Sequence, residues 1–195
     1  HAMGGLPLVR NFLFSTDYPW IAFAATSGGI YRTTDQGRSW GQVSPEAVES
    51  IEFDPDNSHV LYAVGPNGVF KSSEARERDL GTAWRSISGY TPCESQRAFA
   101  VDPRGERARL YLLTRDGLYV KAEGDMEWTA PARMFRTRDF SSVEPLVGSP
   151  LWIRVDDCKK DRLFRAVQVS EEGLSGPVVE VSDDGGKTWS PILRK

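Results

Sequence analysis

Short apolar runs, rich in β-branched and aromatic side chains, recur along the chain and are divided by Gly, Pro, Asn and Asp. Their length and composition predict β-strands. The alternation of buried and solvent-facing positions is clearest in Ile51-Glu52-Phe53. No segment carries a sustained helical period with caps. Glu74 to Leu80 has a helical composition, but it falls where a turn belongs and reads as a loop insertion with one helical turn at most.

The runs are ordered into a repeat anchored on tryptophan. Trp84 lies 44 residues beyond Trp40, Trp128 another 44 beyond that, and Trp189 a further 61. Before each Trp comes a run opened by turn residues: Gly28-Gly29-Ile30-Tyr31, Asn67-Gly68-Val69-Phe70, Asp116-Gly117-Leu118-Tyr119, and Gly176-Pro177-Val178-Val179. Upstream lie Trp20 to Thr26, Val60 to Val64, Leu110 to Thr114, and Leu163 to Val169. A further run, such as Phe53 before Asp54-Pro55 or Trp152 to Val155 before Asp156-Asp157, ends each time on an acidic turn. The last run of each unit starts at the Trp. Four strands per unit, repeated four times, predict an all-β fold: a β-propeller of four four-stranded antiparallel blades. The blades fall at about 6–45, 46–90, 91–132 and 148–195, with 133–147 as an inter-blade loop, all in one domain. Residues 1–5 read as a cloning remnant and an irregular start. Four blades can form a closed ring or an open part of a larger propeller.

Between the third run and the Trp, two units share one pattern without gaps. Thr33-Thr34-Asp35-Gln36-Gly37-Arg38-Ser39-Trp40 and Ser182-Asp183-Asp184-Gly185-Gly186-Lys187-Thr188-Trp189 both fit Ser/Thr-x-Asp-x-Gly-x-Ser/Thr-Trp. The second unit keeps Ser72, Glu74 and Trp84 around an insertion, and the third keeps Glu123 and Trp128. This pattern resembles the Asp-box, or BNR repeat, of sialidases, sortilin-type receptors, xyloglucanases and photosystem assembly factors. The expected physics is that of a hairpin turn. Gly37 and Gly186 supply positive φ. Asp35 and Asp184 accept backbone N–H groups. The hydroxyls of Thr33, Ser39, Ser182 and Thr188 extend the network, and Trp40 and Trp189 pack beneath the turn. In the families resembled, the motif sits at the blade periphery and is structural, so these residues carry no catalytic role.

Composition narrows the function. The chain has 195 residues, is 39% hydrophobic and 26% charged, and carries a formal net charge of −3. That charge argues against a nucleic-acid partner, and no apolar run is long enough for a membrane helix. The cluster of Arg133, Arg136 and Arg138 reads as a solvated loop. Cys93 and Cys158 admit one bridge or two buried free thiols. With His1 in the remnant and His59 in a turn, no His-based triad or zinc site is expected, and no metal or cofactor. Sialidase chemistry, as the resemblance implies it, begins near a Phe/Tyr-Arg-Ile-Pro segment and needs six or more blades. Neither is present, so no catalytic residue is carried over. Asp156 with Asp157 reads as a recurrent loop rather than an acid/base pair. Polar residues on first strands, Glu52, Arg97 and Arg154, together with Asp156, are candidates for the rim of a central channel. The reading is a non-catalytic propeller that recognises a protein or a glycan, as monomer or homodimer. The alternatives are a glycoside hydrolase or a fragment of one, and a structural module of a longer chain. The resemblance implies a location outside the cytoplasm.

Overall fold

The computed structural model describes residues 7–73, 79–88, 98–114, 117–129, 135–138, 142–145, 148–156, 158–171 and 174–194. Among them no α-helix occurs, and no helix is long and apolar enough to cross a membrane. The first sheet is built from β1 (Val9–Phe14), β2 (Ala22–Thr26), β3 (Gly29–Thr33) and β4 (Gly41–Ser44). The second comprises β5 (Ser50–Asp54), β6 (Asn57–Gly65), β7 (Gly68–Ser73) and β8 (Trp84–Ser88). In both, neighbours in sequence are antiparallel neighbours in the sheet. The third holds β9 (Ala98–Asp102), β10 (Arg109–Thr114) and β11 (Gly117–Ala122) in the same meander. Where a fourth strand was expected, the described residues show Thr129 bonded to the sheet, its N–H donating to the Val120 carbonyl (2.9 Å).

The stretch expected to be an inter-blade loop carries a hairpin of its own, β12 (Phe135–Arg138) with β13 (Ser142–Pro145). The supposed basic loop therefore places Arg136 and Arg138 on a strand; Arg133 lies outside the described residues. The last sheet is β14 (Gly148–Val155), β15 (Leu163–Glu171), β16 (Leu174–Ser182) and β17 (Ser190–Arg194). Most of Glu74 to Leu80 also lies outside the described residues.

Short hairpins join the second and third strands of the first three sheets. Thr26 pairs with Gly29, Gly65 with Gly68 and Thr114 with Gly117. In two of them a threonine hydroxyl donates to the glycine carbonyl across the turn, Thr26 to Gly29 (2.7 Å) and Thr114 to Gly117 (3.1 Å).

The chain divides into two compact units, His1–Thr91 and Pro92–Lys195. Each packs two of its larger sheets face to face, because a sheet with one apolar face must bury it. In the first unit Phe23, Ala25 and Ile30 of the first sheet meet Ile51, Leu61, Ala63 and Phe70 of the second. Phe23 and Phe53 stand edge to face, 6.2 Å between centroids. In the second unit Ala98, Ala100, Tyr111, Leu113 and Leu118 meet Ile153, Leu163, Val167, Val169, Val178 and Trp189. Full burial of such a side chain stabilises by about 1.5–3 kcal/mol. One charged pair lies in this core. Arg165 Nε donates to Glu180 Oε2 (2.8 Å), and the guanidinium stacks on Trp189 at 4.1 Å from the ring centroid. Both side chains are fully buried, and among the described residues Arg165 Nη1 has no hydrogen-bond partner. Burial pulls the Arg165 pKa down, although Glu180 opposes that shift.

Candidate functional site

The two patterned turns fold alike. In the first, the Thr33 hydroxyl donates to Asp35 Oδ1 (2.8 Å) and accepts the Gly37 N–H (2.9 Å). Asp35 then accepts the Ser39 N–H (2.8 Å) and hydroxyl (2.6 Å). In the second, Ser182 donates to Asp184 Oδ1 (2.7 Å) and accepts the Gly186 N–H (2.8 Å). Asp184 accepts the N–H groups of Lys187 and Thr188 (both 2.9 Å) and the Thr188 hydroxyl (2.6 Å). Two consecutive residues have positive φ in each turn: Gln36 and Gly37, then Gly185 and Gly186. Glycine at position 186 is also a packing requirement, since a Cβ there would collide with Leu118.

These bonds set the charge state. The Ser39 hydroxyl and N–H, with Thr33, hold Asp35 down at about 2. Burial pushes Asp184 up, but the Thr188, Ser182 and Lys187 bonds outweigh it and leave the group below the usual carboxylate range. Both carboxylates are fixed acceptors with no proton to give.

The tryptophans of the two turns part company. Trp189 is buried (8% exposed) and its Nε1 donates to the Gly186 carbonyl (3.0 Å). Trp40, expected beneath its turn, is 38% exposed and stands against Phe12 at 6.0 Å. In the second sheet, where the pattern is broken, Trp84 Nε1 still donates to Gly81 (2.7 Å), but the buried Ser72 hydroxyl has no partner among the described residues. In the third, Lys121 occupies the position of that hydroxyl. It is buried over Trp128 at 5.9 Å, and burial lowers its pKa against the pull of Asp125.

Of the rim candidates, Glu52 belongs to the first unit and Arg154 and Asp156 to the second. Glu52 is half-buried on β5, and Arg154 is exposed on β14, its Nη1 donating to the Ile153 carbonyl (3.1 Å). Arg97 lies outside the described residues, as do Cys93 and Asp157. Asp156 caps its own loop, accepting the N–H groups of Cys158 (2.7 Å) and Lys159 (3.1 Å). Cys158 is a free, exposed thiol, which corrects the buried reading. Ser58, His59 and Asp17 meet at one end of the first unit, but Ser58 donates directly to Asp17 and the imidazole stands edge-on to Tyr18 (6.1 Å). That arrangement has no Ser–His–Asp relay.

Sequence reasoning missed the pocket of about 570 Å³ in the second unit. The second patterned turn forms one wall with Asp183, Asp184, Gly185, Gly186 and Lys187, and Arg109, Leu118 and Val120 of the third sheet form the other. Arg109 donates to Asp161 (2.8 Å) and to the Tyr111 hydroxyl (3.4 Å), which together keep its pKa up, the tyrosine most. Asp183 is gripped by Arg162 Nε (2.5 Å) and Lys159 Nζ (3.0 Å), which hold it at about 2. The pocket thus sets ion-paired charged groups beside two apolar side chains. Its one sequence signal was Arg109, a charge at the head of an apolar run. Among the described residues no group of His, Cys, Asp and Glu is arranged to hold a metal ion.

The chain matches no protein-family model. An oligoxyloglucan-reducing end-specific xyloglucanase from Emericella nidulans is 26% identical to it over an alignment 220 positions long, which covers 92% of this chain and 26% of that protein. The chain thus spans about a quarter of the length of the curated relative it matches. Among solved structures, the GH74 xyloglucanase from Xanthomonas campestris superposes over 96% of this chain and 30% of its own, with a TM-score of 0.60 at 15% identity. An ancestral GH74 enzyme gives 0.59 at 16% identity, over 94% of this chain and 25% of its own. The β-propeller domain of Cps50 (Swd1) from Myceliophteria thermophila gives 0.55 at 10% identity, over 91% and 54%. The fold is therefore that of propeller blades, and the sequence has a distant similarity to a xyloglucanase.

Proposed function

We propose that this chain is a non-catalytic, glycan-recognising part of an Asp-box propeller, and that the pocket beside the second Asp-box receives the sugar. Both units then belong to one propeller of more than four blades, the open alternative rather than the closed ring. The observation that carries the reading is the state of the pocket's carboxylates. Glycoside hydrolysis needs a carboxylic acid whose pKa is raised and a second carboxylate free to act as base or nucleophile. Here Asp183 and Asp184 are held below the usual range by cations and turn donors, and Asp161 is paired with Arg109. Such groups suit hydroxyl recognition: fixed guanidinium and carboxylate edges meet vicinal hydroxyls, and Leu118 and Val120 meet the C–H face of a ring.

The similarity to an oligoxyloglucan-specific enzyme selects the probe. Titration calorimetry of the whole chain with xyloglucan oligosaccharides should show saturable binding. Arg109→Ala, which frees Asp161 and removes the guanidinium edge, should weaken it roughly tenfold, about the effect of losing one charged hydrogen bond. No heat at any ligand concentration, or an Arg109→Ala variant with unchanged affinity, would sink the proposal. The second reading, a piece of a longer hydrolase, draws on the same similarity and on the quarter-length coverage.

A further inference from the structure

The row Glu180–Arg165–Ile153 of the last sheet has an equivalent in each of the first three. The first sheet carries Tyr31–Ala24–Phe12 there, the second Phe70–Ala63–Ile51 and the third Tyr119–Leu112–Phe99. None of these side chains is charged, so strand pairing at this row does not require ions. The turn does not require them either, because Trp84 Nε1 of the second sheet donates to Gly81 (2.7 Å) with no cation in the corresponding row. A buried ion pair is weak evidence for stability, since apolar residues of similar volume often replace it without loss. The Arg165–Glu180 pair is thus particular to the sheet that carries the second patterned turn.

Its contacts lead to the pocket. Arg165 Nε donates to Glu180 Oε2 (2.8 Å), and Nη2 stands 2.7 Å from the same oxygen. Two contacts to one carboxylate pin the planar guanidinium. That plane supports the Trp189 indole, 4.1 Å from the ring centroid, in a dry site where a cation on an aromatic face is held most strongly. The indole is tied at its polar end as well, where Nε1 donates to the Gly186 carbonyl (3.0 Å). Gly186 lines the pocket, and it lies so close to Leu118 that a Cβ would collide with it. An unbroken series of contacts therefore runs from Glu180 through Arg165 and Trp189 to a wall of the pocket.

Given the reading of this pocket as a sugar site, we infer that the Arg165–Glu180 pair is its positioning device: it holds the Trp189 indole, and through it Gly186, at the spacing from Leu118 that the ligand requires. A wall made of glycine has no side chain of its own to lock it, so its place depends on what supports the indole bonded to it. A guanidinium pinned by a carboxylate is a flat, fixed support. A methionine in its place has several rotatable bonds and lets the indole shift. Loss of the pair loosens the wall and weakens binding while the sheets stay paired.

Two measurements on the whole chain test this, one of them independent of any ligand. The first is hydrogen exchange followed by NMR at the Gly186 N–H and the Trp189 Nε1–H, with the β2–β3 hairpin amides as the internal standard. In Arg165→Met with Glu180→Leu, both protons should exchange roughly tenfold faster than in the wild type, while the hairpin and the urea midpoint stay nearly unchanged. The second is titration with xyloglucan oligosaccharides, whose affinity should fall roughly tenfold in the same variant. If that variant fails to fold, Arg165→Lys replaces it. It keeps the charge but lacks the flat face, and it should shift both readouts in the same direction. Unchanged exchange in a folded variant would overturn the inference, and so would faster exchange with unchanged affinity. Faster exchange in the variant together with a wild type that binds no oligosaccharide would sink the sugar reading and leave the positioning of the wall standing.

Discussion

Asp35 shows how much one turn residue does. Its carboxylate is held near 2 by Ser39 and Thr33, below its ordinary value of 3.8. A carboxylate with a depressed folded-state pKa adds stability that is present above the unfolded value and is lost as pH falls through the folded one. The wild type should therefore lose Tm between about pH 4 and pH 2, and Asp35→Asn, which has no such group, should show a flatter profile over that window. A parallel slope in both proteins would remove the turn's electrostatic account. The tryptophans make the second residue-scale case. Trp189→Ala opens a core that includes Leu118 and Leu163 and should cost about 3–5 kcal/mol in denaturant unfolding. Trp40→Ala, at a half-open site, should cost distinctly less. Equal losses would contradict the difference in burial. The motif's glycine, aspartate and hydroxyl roles were legible in the sequence because each follows from local backbone chemistry. The burial of its tryptophan was not, because that depends on whether another sheet lies over the turn.

Among the elements, the strands were legible where runs of β-formers were bounded by turn residues. The hairpin of β12 and β13 was missed because its strands are charged and short, and no glycine marks its turn. The pocket was missed for a different reason. Arg109 and Asp161 lie 52 residues apart, and Asp161 reaches its place through a positive-φ turn (61°) that no sequence rule required. The Arg165–Glu180 pair was equally invisible, since both residues stand in strand positions whose partner rows are apolar. Removing one member of a buried pair strands the other charge. Glu180→Ala should therefore cost about 3–5 kcal/mol, whereas Arg165→Met with Glu180→Leu should recover most of that loss. A double variant no more stable than Glu180→Ala in urea titrations would show that the pair contributes more than its own neutralisation.

For the whole molecule, the packed four-stranded sheets and the solved structures they resemble agree on propeller blades. The proposed non-catalytic reading rests on the chemistry of the pocket. The carboxylates that line its pocket are already committed as acceptors. The most direct test incubates the whole chain with xyloglucan oligosaccharides at saturating concentration and follows new reducing ends. The account predicts bound ligand with no release above the protein-free control. Turnover that disappears in Asp161→Ala or Asp156→Ala would contradict it and make the chain a hydrolase.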